Sequence, residues 1–285
     1  MLLMAFLLAF PTPGVLCAYR AEAASLKKAE APGKTVYKEK TGSADISNID
    51  SGYIVVKYAG DTKLKVRITG TTAYTYDVTE KNKEYVIPVT EGSGTYTIEL
   101  LENAYDDMYA SLLKEDVKVN IKDETEPFLY PNMFSNITSA SPIVKKADSL
   151  ADPKDTLKTV GAIYDYVVAN VKYDNDKTSS VQAGYIPDPE DTFKTNKGIC
   201  FDYASLATAM LRAEGIPTKL QVGYAGKTYH AWISVWTREK GWVDKIIEFK
   251  GKSWTLMDPT FHSTGKKKAE KFITDSTNYT VQYNY

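Results

Sequence analysis

The apolar residues of this chain follow two different periods, and the switch between them divides it. From Tyr53 to Ile121 they alternate, as strands require. Tyr53-Ile54-Val55-Val56-Lys57-Tyr58, Leu64-Lys65-Val66-Arg67-Ile68, Tyr74-Thr75-Tyr76-Asp77-Val78 and Tyr85-Val86-Ile87-Pro88-Val89 are the first four runs. Gly92-Ser93-Gly94 marks a turn, Tyr96, Ile98 and Leu100 alternate after it, and Val117-Lys118-Val119-Asn120-Ile121 closes the set. Short strands separated by turn residues imply a small β-sandwich. No cluster here carries chemistry, so the stretch reads as a spacer or a carbohydrate- or protein-binding module.

Further on, the period becomes helical. Leu157, Val160, Tyr164, Val167, Val168 and Val171 share one face of a helix. Asp152 suits its N-cap, Pro153 its first position, and Asp155 the positive helix end. Residues 175–197 read as a long polar loop with Pro187 and Pro189, of the kind that is often functional. A second helix spans 200–214, buries Tyr203, Ala207, Met210 and Leu211, and stops at Gly215 and Pro217. Strands follow at 220–224, 228–236, 242–249 and 254–258. Period two puts His230, Trp232 and Ser234 on one face of the second of them. The C-terminal half, 152–285, is therefore an α+β domain.

The remaining segments are simpler. The apolar run Leu2 to Phe10 is too short to span a bilayer and is followed by Ala21-Glu22-Ala23-Ala24, an A-x-A cleavage pattern. Residues 1–24 thus read as an export signal, although no Lys or Arg precedes the run and Gly14-Val15-Leu16 fits a lipobox before Cys17 poorly. Residues 25–45 read as a flexible spacer, 46–122 as the sandwich and 123–151, with three prolines, as a linker. Asn136-Ile137-Thr138 is a glycosylation sequon in form only. Of the 285 residues 43% are hydrophobic and 25% charged, with a net charge of −1. That balance allows a real core and gives no global attraction to nucleic acid or anionic lipid. Lys266-Lys267-Lys268 reads as a solvated loop. The expected product is secreted or cell-surface associated, with no stable membrane insertion once the signal is removed.

Signal removal would leave Cys200 as the one remaining cysteine of two, with two histidines in the chain. An internal disulfide is then excluded, and a Cys-rich zinc site is disfavoured; no metal or other cofactor is expected. A thiol is mostly protonated at neutral pH, and a helix N-terminus or an imidazolium favours its anion. Cys200 opens a helix, His230 lies on a strand, and Asp258 follows in Met257-Asp258-Pro259-Thr260. Thiolate attack, proton shuttling by the imidazole and orientation of the imidazole by a carboxylate need these three groups. Each residue alone has a plainer reading: a small buried cysteine, a packed strand histidine, a turn former before proline. His262 is the rival histidine, placed in a loop. Trp232 either packs beside the imidazole, excluding water and bounding a substrate site, or is simply core. Asp202 reads as structural, and its charge would partly oppose a thiolate.

Four stretches together resemble the transglutaminase-like superfamily of papain-type cysteine acyltransferases and hydrolases, in a bacterial secreted form. They are Gly198-Ile199-Cys200-Phe201-Asp202-Tyr203-Ala204, Leu211-Arg212-Ala213-Glu214-Gly215-Ile216-Pro217, His230-Ala231-Trp232 and Asp258-Pro259-Thr260. The likeness covers roughly residues 150 to 262, under half of the chain. It implies a papain-like core, in which a helix carrying Cys200 packs on an antiparallel sheet carrying His230 and Asp258. It also implies Cys200 as nucleophile, His230 as base and Asp258 as its orienting partner. Active members pass through a thioester and act on protein or peptide amides, cell-wall peptide among them. The alternative is a non-catalytic scaffold or adhesion module that keeps the fold.

Overall fold

The computed structural model describes residues 26–238, 240–243 and 279–285, and the backbone of 247–248 and 254–255. Its first half is two antiparallel sheets. One is ordered β1 (Val36–Lys38), β2 (Gly42–Asp45), β3 (Tyr53–Tyr58), β6 (Glu84–Pro88). The other is ordered β5 (Ala73–Val78), β4 (Leu64–Thr69), β7 (Gly94–Tyr105), β8 (Met108–Val119). Ile54, Val56 and Ile87 of the first meet Val66, Ile98 and Leu100 of the second in one buried cluster.

One segment differs from its sequence reading, and a second lay between the runs read there. The stretch read as a spacer supplies β1 and β2, and Ala44 and Asp45 are buried. Small residues hid this strand. Gly42 sits so close to Leu112 and Leu100 that a Cβ would lie 2.9 and 3.1 Å from their side chains. The polar stretch between Leu100 and Val117 is the middle of a continuous β7–β8 hairpin. β8 is an edge strand, and charge along an exposed edge is how sheets avoid further pairing.

The helical half begins earlier than expected. Within the stretch read as a linker, α1 (Pro142–Leu150) is capped by the Ser141 hydroxyl, which accepts the Ile143 N–H. Its Ile143 and Ala147 are fully buried. α2 (Thr156–Asn170) starts at Asp155 rather than Asp152. Asp155 accepts the Lys158 N–H, whereas Asp152 is used in a turn with the Lys154 N–H. The polar loop is largely ordered: β9 (Lys172–Tyr173), α3 (Asn175–Ser180), α4 (Pro189–Thr195) and β10 (Lys197–Gly198) occupy it. Asp174 and Asp188 cap its two short helices.

α5 (Cys200–Ala213) then runs through the centre, as expected, but every residue from Asp202 to Ala213 is buried. Ala204, Ser205, Ala207, Thr208 and Ala209 let neighbours approach on all sides, so the single apolar face read from the sequence was too narrow. α1, α2 and α4 pack around it, with β11 (Thr218–Ala225) and β12 (Thr228–Thr237) beneath. These strands form an antiparallel sheet in the order β13 (Gly241–Val243), β12, β11, β16 (Tyr279–Asn284). β14 (Ile247–Glu248) and β15 (Trp254–Thr255) make a separate antiparallel pair.

The two halves share one continuous apolar core. Phe134 lies 5.5 Å from Phe201, 4.3 Å from Tyr285 and 6.0 Å from Tyr76, ring centre to ring centre. The Thr90 hydroxyl donates to the Asn284 carbonyl at 2.7 Å, which ties the sandwich to β16. Arg212, 1% exposed, is the main polar element of this seam. Its five hydrogen bonds go to the main-chain oxygens of Thr218 (twice), Tyr130 and Tyr285 and to the Ser135 hydroxyl.

Glu214 follows α5 immediately. Burial, and then repulsion from Asp148, raise its carboxyl to about 7 from an ordinary 4.5. The folded state therefore holds the proton more tightly than the unfolded one. Stability from this group is full below pH 4.5 and lost as pH rises through 7. Glu214→Gln should add about 1 kcal/mol at pH 8, a figure already reduced for solvent screening at this half-exposed position. It should change little at pH 4, and urea unfolding of both proteins across that range checks it.

Candidate active site

The chain reaches Cys200 through β10, which pairs in parallel with β9. Gly198 is needed here for space rather than for an unusual backbone angle: a Cβ would lie 2.5 Å from the Asp202 Cβ. Asp202 is 0% exposed and accepts the Ile199 N–H at 2.8 Å, so it closes the first turn of α5 from inside. It also takes the Lys177 ammonium at 2.8 Å and the Tyr185 hydroxyl. Burial, then the hydrogen bond to Asp202, push the Tyr185 phenol well above its ordinary value. The Lys177 ammonium sits 4.6 Å from the Tyr185 ring centre, and that ring meets Phe201 edge-on. The charge of Asp202 is thus matched by a lysine, which answers the expectation that it would oppose a thiolate.

Cys200 is a free, half-buried thiol at the first position of α5. α5 packs on β12, the strand that carries His230. His230 is 5% exposed, and Trp232 stacks beside it with ring centres 6.4 Å apart and planes 23° apart. Trp232 is 1% exposed and meets Tyr279 edge-on at 4.9 Å, so it walls the imidazole and presents no face to solvent. Ser234, next on this face, donates to Gln221 at 2.6 Å. The opposite face, Ala231, Ile233 and Val235, belongs to the core. Gly223 pairs with His230 across β11 and β12 and lies where β16 bulges. A Cβ there would be 2.0 Å from the Thr280 carbonyl oxygen.

Tyr229 precedes His230 and is exposed, in edge contact with Tyr224 at 5.5 Å. Its phenol is raised above the ordinary value, by burial first and then by Tyr283, Tyr224 and the neighbouring Cys200. Asp258 and His262 lie outside the described residues, as do Cys17 and the apolar run of residues 2–10. No helix among the described residues is long and apolar enough to cross a membrane.

The helix–strand pairing of Cys200 and His230 coincides with a match to a family model. Residues 144–245 fit the Transglutaminase-like superfamily core. The likeness to the transglutaminase-like superfamily is thus confined to this part of the chain. UPF0252 protein MJ1282 of Methanocaldococcus jannaschii is 35% identical over 94 residues, 29% of this chain and 27% of that protein. A protein-glutamine gamma-glutamyltransferase of Pseudomonas aeruginosa is 34% identical over 65 residues, 18% of this chain and 10% of that protein. The chain thus spans about a quarter or less of the length of these curated relatives. Among solved structures, red sea bream transglutaminase is 14% identical with a TM-score of 0.29, over 73% of this chain and 48% of that one.

In this transglutaminase-like domain, sequence reasoning named Cys200 and His230 and placed them on the right elements. It did not single out Lys177 and Tyr185, which lie in the segment read as a long polar loop of an often functional kind. The Asp174 cap and the Asp176 carboxylate in the first turn of α3 were the available signal.

Proposed function

We propose that this chain is an exported cysteine-dependent enzyme that acts on protein or peptide amides through a thioester on Cys200. The observation that carries this reading is a free, half-buried thiol at a helix N-terminus, packed against the strand that holds His230, inside a transglutaminase-like domain. The Cys200 thiolate attacks the amide carbon, and the carbonyl electrons move onto oxygen. Main-chain N–H groups at the start of α5 are suited to receive that oxyanion. Collapse expels the amine, which takes a proton from the His230 imidazolium, and leaves the thioester. Water or a second amine, deprotonated by His230, then attacks the thioester and releases Cys200. Asp258 is assigned to orient the imidazole, and Trp232 to hold its plane and keep water from its flank.

The first test is alkylation of Cys200 by iodoacetamide across pH, in the parent protein and in His230→Ala. Reaction that stays fast below pH 7 and slows in the variant is the expected result. Slow reaction with an ordinary thiol profile in both proteins would favour a non-catalytic scaffold.

A further inference from the structure

The fully buried Asp202 carboxylate is held from three sides at the first turn of α5. One oxygen accepts the Ile199 N–H, one residue before the thiol, and the Lys177 ammonium lies 2.8 Å from that same oxygen. The other oxygen accepts the Tyr185 hydroxyl. Lys177 and Tyr185 also meet each other, ammonium over ring, so the three groups close a triangle. Its lysine corner is fixed through the backbone of α3. The Asp174 N–H donates to the Gly198 carbonyl at 3.0 Å, and the Asp174 carboxylate accepts the Lys177 N–H at 2.9 Å. The lysine is therefore hung on the same strand that delivers Cys200.

A carboxylate fixed beside a thiol disfavours its anion, and an ammonium favours it. The two charges of this buried pair oppose each other at Cys200. Other titratable groups stand around the same turn. Asp188 and Asp191, at the start of α4, act on Tyr185. β12 brings His230, and Tyr229 within electrostatic reach of Cys200.

From this triangle we infer that Lys177 and Asp202 are positioning residues that jointly set the ionisation of the Cys200 thiol. Asp202 fixes the turn that presents the thiol, at an electrostatic cost to the thiolate, and Lys177 removes that cost. This role rests on the reading of Cys200 as a nucleophile that acts as its thiolate.

The pH profile of Cys200 alkylation by iodoacetamide tests it in the full chain and needs no turnover. Lys177→Met leaves the carboxylate unmatched and should raise the midpoint by about one pH unit, an approximately tenfold loss of rate below it. Lys177→Arg keeps the charge and should stay near the parent. Asp202→Asn keeps an oxygen for the Ile199 N–H, leaves the ammonium unmatched, and should lower the midpoint. The double variant Lys177→Met with Asp202→Asn removes both charges and should return toward the parent. A merely structural role predicts otherwise: both single variants loosen the turn, move the midpoint the same way, and are not rescued in the double. Shifts of one sign would therefore overturn the role, as would a Lys177→Met midpoint equal to the parent's. If Asp202→Asn fails to fold by circular dichroism, the lysine series decides alone, because the midpoint must follow the charge at 177. The nucleophile reading fails in a different way, through an ordinary parent profile unmoved by His230→Ala, with the opposed shifts still present.

Discussion

Cys200→Ala should lower the release of ammonia from a glutamine-bearing peptide by at least about 10³-fold while leaving the unfolding midpoint nearly unchanged. The size follows from the role. A nucleophile is not one contribution among many, because without it no thioester forms and the remaining groups act on water alone. His230→Ala should fall to a similar level, and the double variant should be no worse than either single one, since the two residues act as a unit. Asp258→Asn should lose less, because orientation is impaired while nucleophile and base remain. Folding should survive Cys200→Ala because the thiol is only half-buried and α5 is anchored elsewhere, through Asp202 at its start and Arg212 near its end. Undiminished turnover in a natively folded Cys200→Ala protein would sink the mechanism. Adding an amine acceptor to the same assay separates transfer from hydrolysis.

Arg212→Met should be the most destabilising single substitution away from that chemistry, at about 3–5 kcal/mol by urea unfolding. Burial pulls the guanidinium pKa down to about 9. Five hydrogen bonds oppose that pull and use each of the five N–H groups an arginine has. Methionine fills much of the same volume but removes the guanidinium donor from four oxygens in three separate stretches of chain, of which the Tyr285 carbonyl keeps the Leu220 N–H. Lysine keeps the charge but not the planar fork, so Arg212→Lys should fall between the parent and Arg212→Met. A loss below about 1 kcal/mol for Arg212→Met would mean that these oxygens find other partners and that the network is not a main stabiliser.

What could be read beforehand, and what could not, has physical causes. Strands with clean alternation, such as Leu64–Thr69 with its buried Leu64, Val66 and Ile68, were legible because one face is buried and the other wet. α5 was legible at both ends, since Gly215 with its φ of 65° and Pro217 can do little else there. β2 was not, because Gly42-Ser43-Ala44 has low strand propensity and is held by packing against Leu100 and Leu112. The start of α2 was misplaced because Asp152 and Asp155 are both good caps three residues apart, and only the three-dimensional setting chooses. Near the start of α5, the elements carrying Cys200 and His230 were legible, a helix start after Gly198 and an alternating strand. Lys177 and Tyr185 were not, since a lysine and a tyrosine in a polar stretch have no pattern that announces a buried partner.

The seam around Phe134 and Arg212 separates two meanings of the word domain. The stretch that matches the family model, 144–245, is a unit of sequence likeness. It is not a unit of folding. Three of the four groups that hold Arg212, namely Tyr130, Ser135 and Tyr285, lie outside it. So do β16, which completes the sheet, Phe134, which stacks on the ring beside Cys200, and Tyr285, which packs on Phe134 in turn. The matched piece is therefore one that these neighbours must enclose before it can stand, and a fragment cut at its borders would expose the very helix at its centre.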